Sequence, residues 1–528
     1  MTEVFAHPDV DDGNDVPATF ELQAAIVAAA RTSGHPVLDA GRGQPNWLAT
    51  TPRDGMFLLG RFAVAEAIAA SPHPEWGQAP AADGIAARLD AALTADGSPG
   101  ATFLAQAVAY GVEELAFDPD AWVLELVRAV LGAGYPSPTR MLTHLEQVIE
   151  RYLVTVTGSP SGPAGRFQVF GTEGGAAAMA YVFRSLQEND IVGPGDKIAI
   201  ATPIFTPYLQ IPVLEDFGFD VVELAAAHNS PYRFDDGVLD QLLDPAIKVF
   251  IVVNPGNPDS RAISPEKLTQ LRDLVRDRRP DLVIVADTVY ATFVDGFRSI
   301  LAELPDHVIC LHSFSKNFGA TGSRLGFVAV ARDNVLDQLL AEQPADVRSA
   351  QQDRYRSITS DVSQLPFMSR LVADSREVAL HNIAGLATPD QVQMGLFALA
   401  YLLPGGQAYV AATRAELAAR LDALLGPLGV PAPGGQDSMY YALIDVLQVA
   451  TAQHGAEFAA WLSANARPED VPLRLAREHG VVVLPGTIFD APSWDVRVSM
   501  ASLTTDELTA VAAAMVEVLA DLAATSGF

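Results

Sequence analysis

The chain has 528 residues, and its 64 acidic side chains against 34 Lys and Arg give a formal net charge of −30. That length suits two or three domains, or one large domain with a satellite, and 49% hydrophobic residues with 19% charged exclude a largely disordered chain. The acidic balance repels nucleic-acid phosphates, and a single cysteine, Cys310, excludes an intramolecular disulfide and a cysteine zinc site.

In chain order, residues 1–17 read as a disordered acidic arm, without the basic and apolar regions of a secretory signal. No uncharged apolar run approaches membrane-spanning length, so a cytoplasmic location without a membrane partner is expected. The Ala-rich pattern ATFELQAAIVAAARTSG predicts a helix stopped by Gly34, and PVLDAGRGQPNW a short strand running into a Gly/Pro loop. Residues 71–100, rich in Pro, Gly, Asp and Ala, read as an insertion with ambiguous helices at its edges. From residue 139 the pattern turns regular. TRMLTHLEQVIERYL predicts a helix, RFQVF a strand, GGAAAMAYVFRSL a helix, and DKIAIA and KVFIVVN strands, the last closed by PGNPDS. SPEKLTQLRDLVRDRR is a serine-capped helix ahead of LVIVAD, and HVICLHSFS and GFVAVA supply further strands. Short apolar runs alternating with helices indicate an α/β fold with a mainly parallel sheet covered on both faces. After about residue 400 the texture changes to that of an α+β satellite domain, which the N-terminal segment is a candidate to join. The expected divisions are 1–17 for the arm, 18–60 for the N-terminal segment of the small domain, 61–130 for an insertion, 131–400 for the large domain and 401–528 for the C-terminal small domain.

Phosphate-loop, zinc-protease, nucleophile-elbow and dinucleotide fingerprints are absent, and no metal site is expected. The chemistry of open α/β sheets collects at the carboxyl ends of strands. There the sequence places Ser313, Ser315, Lys316 and Arg324 in HSFSKNFGATGSRLGF, Asp287 and Tyr290 in LVIVADTVY, Asn254 and Asn257 in NPGNP, and Thr172, Glu173, Gly174 and Gly175 in VFGTEGGAAAM. Each alone has a bland reading: a polar loop, a capping aspartate, turn asparagines, a Gly-rich turn. Together they offer a phosphate cup, a lysine amine, a carboxylate and a phenol at neighbouring strand ends. That combination suits pyridoxal 5′-phosphate, with the lysine forming a Schiff base and the carboxylate keeping the ring nitrogen protonated.

On these residues the chain resembles fold-type I pyridoxal-phosphate enzymes of the aspartate aminotransferase superfamily. The resemblance implies a mainly parallel seven-stranded sheet flanked by helices, a smaller α+β domain, and a homodimer with shared active sites that can assemble further. Lys316 in SFSKN matches the Schiff-base lysine, and Asp287 in DTVY the partner of the ring nitrogen. Tyr290 and Asn257 match the contacts of the ring's phenolic oxygen. Ser313, Ser315 and Arg324 match the phosphate ligands, with backbone from Glu173, Gly174 and Gly175. Phe205 in TPIFTPY falls where the family stacks an aromatic ring, and Tyr135 in GYPSPTRML resembles the tyrosine that reaches the neighbouring subunit's phosphate. Arg497 in DVRVSMASL resembles the arginine that forks onto the substrate α-carboxylate, with Asn257 beside it. The Asn257–Pro258 bond is expected to be cis.

GRGQPNWLATTPRDGMFLLGRFAVAEA, TEGGAAAM and HNIAGLATPDQVQM, with the added length, look like the aspartate 4-decarboxylases (aspartate β-decarboxylases). Gln44 and the AAA after TEGG depart from that pattern without removing chemistry. The resemblance implies conversion of L-aspartate to L-alanine and CO2, with aspartate transamination as a side reaction and small keto acids such as pyruvate as partners. Arg42 is a candidate near the β-carboxylate, with Gly43 the matching backbone position, and a loop-fixing or intersubunit ion pair is the competing reading for Arg42. An ordinary aminotransferase for aspartate or aromatic amino acids is the alternative function. A catalytically silent regulator built on the same fold would carry a DNA-binding module, and no basic segment suggests one.

Overall fold

The computed structural model describes residues 19–160, 165–214, 216–226, 233–378, 385–432, 434 and 437–528, so the expected arm at 1–17 lies outside the described residues. At its centre is a seven-stranded sheet. Across it the order is Phe167–Thr172, Gly326–Ala331, Val308–Ser313, Val283–Asp287, Ile247–Val253, Lys197–Thr202 and Asp220–Ala225. Gly326–Ala331 runs antiparallel to both its neighbours, and every other pairing is parallel. The central strands are Val- and Ile-rich because both of their faces are buried. Side-chain alternation then sends Val249, Ile251 and Val253 into one core and Phe250 and Val252 into the other.

Six strands follow the sequence reading. The seventh, Asp220–Ala225, was not foreseen: as an edge strand it fully buries only Leu224 and carries no continuous apolar run.

Among the helices ahead of the sheet are Thr50–Ala69, Ile85–Asp96, Pro99–Glu113 and Pro119–Val130. The expected boundary at residue 60 is corrected, because it falls inside Thr50–Ala69. The stretch read as an ambiguous insertion holds a full helix, with Ile85, Leu89 and Leu93 buried at helical spacing. These helices share one hydrophobic core with the sheet's Phe250 and Val252 and with Thr388–Leu402.

The C-terminal part pairs Leu484–Pro485, Asp495–Ser499 and Tyr441–Asp445 into an antiparallel sheet. Helices Pro404–Leu428 and Thr505–Ser526 pack together beside it. The N-terminal segment joins here: Leu38–Asp39 pairs in parallel with Val481–Val482, and Thr19–Thr32 packs on Asp470–His479. Thr505–Ser526 is long and apolar enough to cross a membrane, yet it buries Leu508, Val511, Met515 and Leu519 in the protein core.

Candidate active site

A cleft of about 220 Å³ opens where the carboxyl ends of the sheet strands meet the three-stranded sheet and the loop after Asp39. Asp287 closes its strand and enters this cleft buried. Its Oδ1 accepts the Val289 N–H at 3.0 Å and its Oδ2 accepts the Tyr208 hydroxyl at 3.0 Å. Burial pushes the carboxyl up to about 6, against the pull of those two donors and of the Lys316 charge. A carboxyl so held gains most from a cation placed beside it.

Lys316 follows the strand Val308–Ser313, and its Nζ donates to the Gly43 carbonyl at 2.8 Å. The Tyr440 hydroxyl donates to the same oxygen at 2.9 Å. Gly43 has no room for a side chain, since a Cβ would lie 2.1 Å from the Tyr441 hydroxyl and 3.0 Å from Lys316 Nζ. Its loop is pinned on both sides: the Asn46 N–H donates to the Ala501 carbonyl at 2.8 Å, and the Trp47 indole to the Asn317 carbonyl at 3.1 Å.

The anion-binding end is built from small residues and hydroxyls. Ser313 Oγ donates to Ser315 Oγ at 2.9 Å, and Gly175 and Ala176 line the cleft at the start of helix Gly175–Glu188. No side chain caps that helix, so its first N–H groups remain available to an anion. Arg324 stands opposite. Gly174, at a φ of 84°, leaves room for it, since a Cβ there would meet Arg324 Nη2 at 2.6 Å. Gly174 and Glu173 do not themselves line the cleft, and the Glu173 carboxylate accepts the Tyr181 hydroxyl at 3.1 Å.

Arg497, on Asp495–Ser499, forms the other wall. Its Nη1 donates to Asn257 Oδ1 at 3.0 Å and its Nη2 to the Gly41 carbonyl, while Nε has no partner. The guanidinium lies 4.3 Å from the centre of the Tyr441 ring and 4.4 Å from that of Phe489. Burial lowers its pKa, against the neighbouring phenols and the Asp39 carboxylate, so a further anion beside it would be welcomed. The Asn257–Pro258 bond is cis. Tyr290 donates to the Tyr441 hydroxyl at 3.1 Å, and Phe205 lines the cleft with its ring 37% exposed.

The structure thus brings Lys316, Asp287, Tyr290, Asn257, Ser313, Ser315, Arg324, Gly175, Phe205, Gly43 and Arg497 around one cleft. Arg42 is not among them. Its side chain is 65% exposed and pairs with Asp39 at 2.9 Å, the geometry of the loop-fixing reading. Tyr135 also stands outside, 77% exposed. Sequence reasoning missed Tyr208, Tyr440 and Tyr441. Their segments, TPIFTPY and SMYYALIDV, were visible, but only tertiary contact shows where the phenols go.

These residues fit pyridoxal 5′-phosphate. The fit rests on a buried carboxyl with no salt bridge among the described residues, an uncapped helix start facing Arg324 and two serines, and a lysine between them. The family model for aminotransferase class I and II matches residues 137–515. A Pseudomonas protein described as a bifunctional aspartate aminotransferase and L-aspartate beta-decarboxylase is 40% identical over 501 residues, covering 94% of each chain. An aromatic-amino-acid aminotransferase of Thermococcus litoralis is 25% identical over 230 residues, 42% of this chain and 56% of its own. Among solved structures, a Thermus thermophilus aspartate aminotransferase double mutant superposes with a TM-score of 0.59 at 18% identity, covering 96% of this chain and 97% of that one.

Proposed function

Because the chain belongs to the aminotransferase class I and II family, we propose that it removes the β-carboxylate of L-aspartate with pyridoxal 5′-phosphate, giving L-alanine and CO2, and transaminates aspartate as a second reaction. The observation that carries this reading is the length of one match. Alignment of 501 residues with the Pseudomonas enzyme has to take in most of the 136 residues ahead of the family match, whereas the Thermococcus aminotransferase aligns over 230.

Bound pyridoxal phosphate supplies an electron sink for the bonds broken at the substrate. The protein's own groups do the rest. Ser313, Ser315, Arg324 and the N–H groups at Gly175 and Ala176 hold the phosphate. Asp287 keeps the proton on the ring nitrogen, and Phe205 covers the ring. Asn257 and Tyr290 steady the phenolic oxygen. The amine of Lys316 would hold the cofactor covalently and is placed to take the Cα proton as general base. Arg497 receives the α-carboxylate, exchanging neutral carbonyl partners for a charged one.

Apart from Arg324 at the phosphate end, Arg497 is the one guanidinium among the described residues lining the cleft. A second fork on the β-carboxylate would hold it in its charged form and oppose its loss. The exposed Tyr135 fits a homodimer in which each chain reaches the other's site, and pyruvate is the keto acid that would return the transaminated enzyme to its starting form.

The test supplies aspartate labelled at C4 and follows CO2, alanine and oxaloacetate, with and without pyruvate. Labelled CO2 above spontaneous oxaloacetate breakdown is expected. Oxaloacetate accumulating only with a keto acid, with C4 retained, would replace this reading by plain transamination. Borohydride reduction should fix the cofactor to the peptide containing Lys316, and label on another lysine would refute that assignment.

A further inference from the structure

We infer that Tyr441 is the acid that delivers a proton to the substrate's β-carbon after CO2 has left, an inference that rests on the decarboxylase reading above. Its hydroxyl has an unusual setting. Gly43 is bare on the cleft side, and the space where its Cβ would stand is bounded by the Tyr441 hydroxyl at 2.1 Å and Lys316 Nζ at 3.0 Å. The phenol and the amine therefore face the same small volume. The Tyr441 ring also lies under the Arg497 guanidinium at 4.3 Å, so the groups for the α-carboxylate and for Cα flank one phenol. The β-carbon is a single bond from Cα.

Three buried phenols meet here, and only one has its proton to spare. Tyr440 gives its hydroxyl proton to the Gly43 carbonyl at 2.9 Å, and Tyr290 gives its own to Tyr441 at 3.1 Å. Tyr441 accepts that bond and has no acceptor of its own among the described residues. Burial would raise its pKa, but the charges of Lys316 and Arg497 and the Tyr290 bond outweigh it, leaving Tyr441 a stronger acid than an ordinary tyrosine.

The step balances. The bond between Cβ and the carboxylate carbon breaks, CO2 departs, and the electron pair stays with the substrate and the conjugated cofactor. That pair then forms the new C–H bond at Cβ while the Tyr441 O–H bond breaks. The phenolate, stabilised beside Lys316 and Arg497, regains a proton through Tyr290 or Lys316, ultimately from water. One proton is consumed for each CO2 released.

The test is Tyr441→Phe in the holoenzyme. Removing a general acid that acts after CO2 has left should slow alanine and oxaloacetate formation together by about a hundredfold at an unchanged product ratio, because the enzyme collects with the decarboxylated substrate. CO2 should still appear as a burst of up to one equivalent per active site, because bond cleavage precedes protonation. Three results overturn the inference: an unchanged rate, a fall in the ratio of alanine to oxaloacetate, which would place Tyr441 at or before C–C cleavage, or absence of the burst. A readout independent of turnover uses the cofactor-free protein. Its phenolate absorbance should show one tyrosine titrating below the others, missing in the variant, and identical titration curves would count against the assignment. Should Tyr441→Phe fail to fold, 3-fluorotyrosine at position 441 keeps the shape while strengthening the acid. The alkaline limb of alanine formation should then move to lower pH, and an unmoved limb overturns the proposal. If the wild-type enzyme releases no CO2 from C4, the decarboxylase reading falls instead, before Tyr441 is in question.

Discussion

The large-domain and small-domain sides of the cleft each bury one charge, and they hold it differently. Asp287, from the central sheet, receives two hydrogen bonds from Tyr208 and the Val289 N–H, both suited to its anion. Arg497, from the three-stranded sheet, gives its bonds to two neutral oxygens and keeps Nε unpartnered between two rings. One side is prepared for a resident cation, which the ring nitrogen of the cofactor provides. The other waits for a transient anion, the substrate carboxylate. Similar burial thus serves two tasks, and the partners of each group tell them apart: damage to Asp287 should appear in the chemistry, damage to Arg497 in substrate capture.

The largest effect is expected at Arg497. Arg497→Ala removes a buried fork for a carboxylate and should lower kcat/KM for aspartate roughly a thousandfold, about 4 kcal/mol, mostly through KM. The cofactor's absorbance should be unchanged, and Arg497→Lys should recover only part of the loss, since an ammonium cannot fork. A change of less than about tenfold would break the assignment of this side to substrate.

Asp287→Ala should keep the cofactor but lower kcat at least about a hundredfold, roughly 2.7 kcal/mol of transition-state stabilisation. Exchange of the substrate's Cα–H at near-normal rate would refute its part in the chemistry. The pairing sharpens the comparison: one variant is expected to alter mostly KM and the other mostly kcat.

The two sides also differ in how far they could be read in advance. Asp287, Lys316, Ser313 and Ser315 each end or directly follow a buried apolar run, so a local pattern is enough to point at the cleft. Arg497 lies on a short strand whose environment is made by Gly41, Asn257, Tyr441 and Phe489, residues distant in sequence, and only the family resemblance singled it out. Tyr441 and Tyr208 escaped because a phenol in an apolar segment reads as core until its hydroxyl's partners are known. For Arg42 the sequence left two readings open, and the structure shows the local one, with Asp39 three residues before it pairing with the guanidinium. In the fold, Asp220–Ala225 was missed because an edge strand shows no continuous apolar run.

The smallest effect is in stability, and it separates the two sides by pH. In the cofactor-free protein the Asp287 carboxyl sits at about 6, raised by burial above the unfolded value near 4. The folded chain therefore binds this proton more tightly than the unfolded chain does. That contribution is fully present below about pH 4 and is lost as pH rises through about 6. Its size is at most about 3 kcal/mol. Thermal unfolding of the cofactor-free wild type and of Asp287→Asn should give a stability difference that falls across this window. Asp437 and Asp495, both pushed up to about 7 by burial, titrate with the same sign and cancel in the subtraction. Tyr208→Phe removes a donor that holds the Asp287 pKa down, so the fall should extend to higher pH in that background. Bound cofactor, by placing a cation beside the carboxylate, should abolish it. A difference that stays flat from pH 4 to pH 7 would mean that burial does not govern Asp287, and the contrast with Arg497, which keeps its charge throughout this range, would have to rest on kinetics alone.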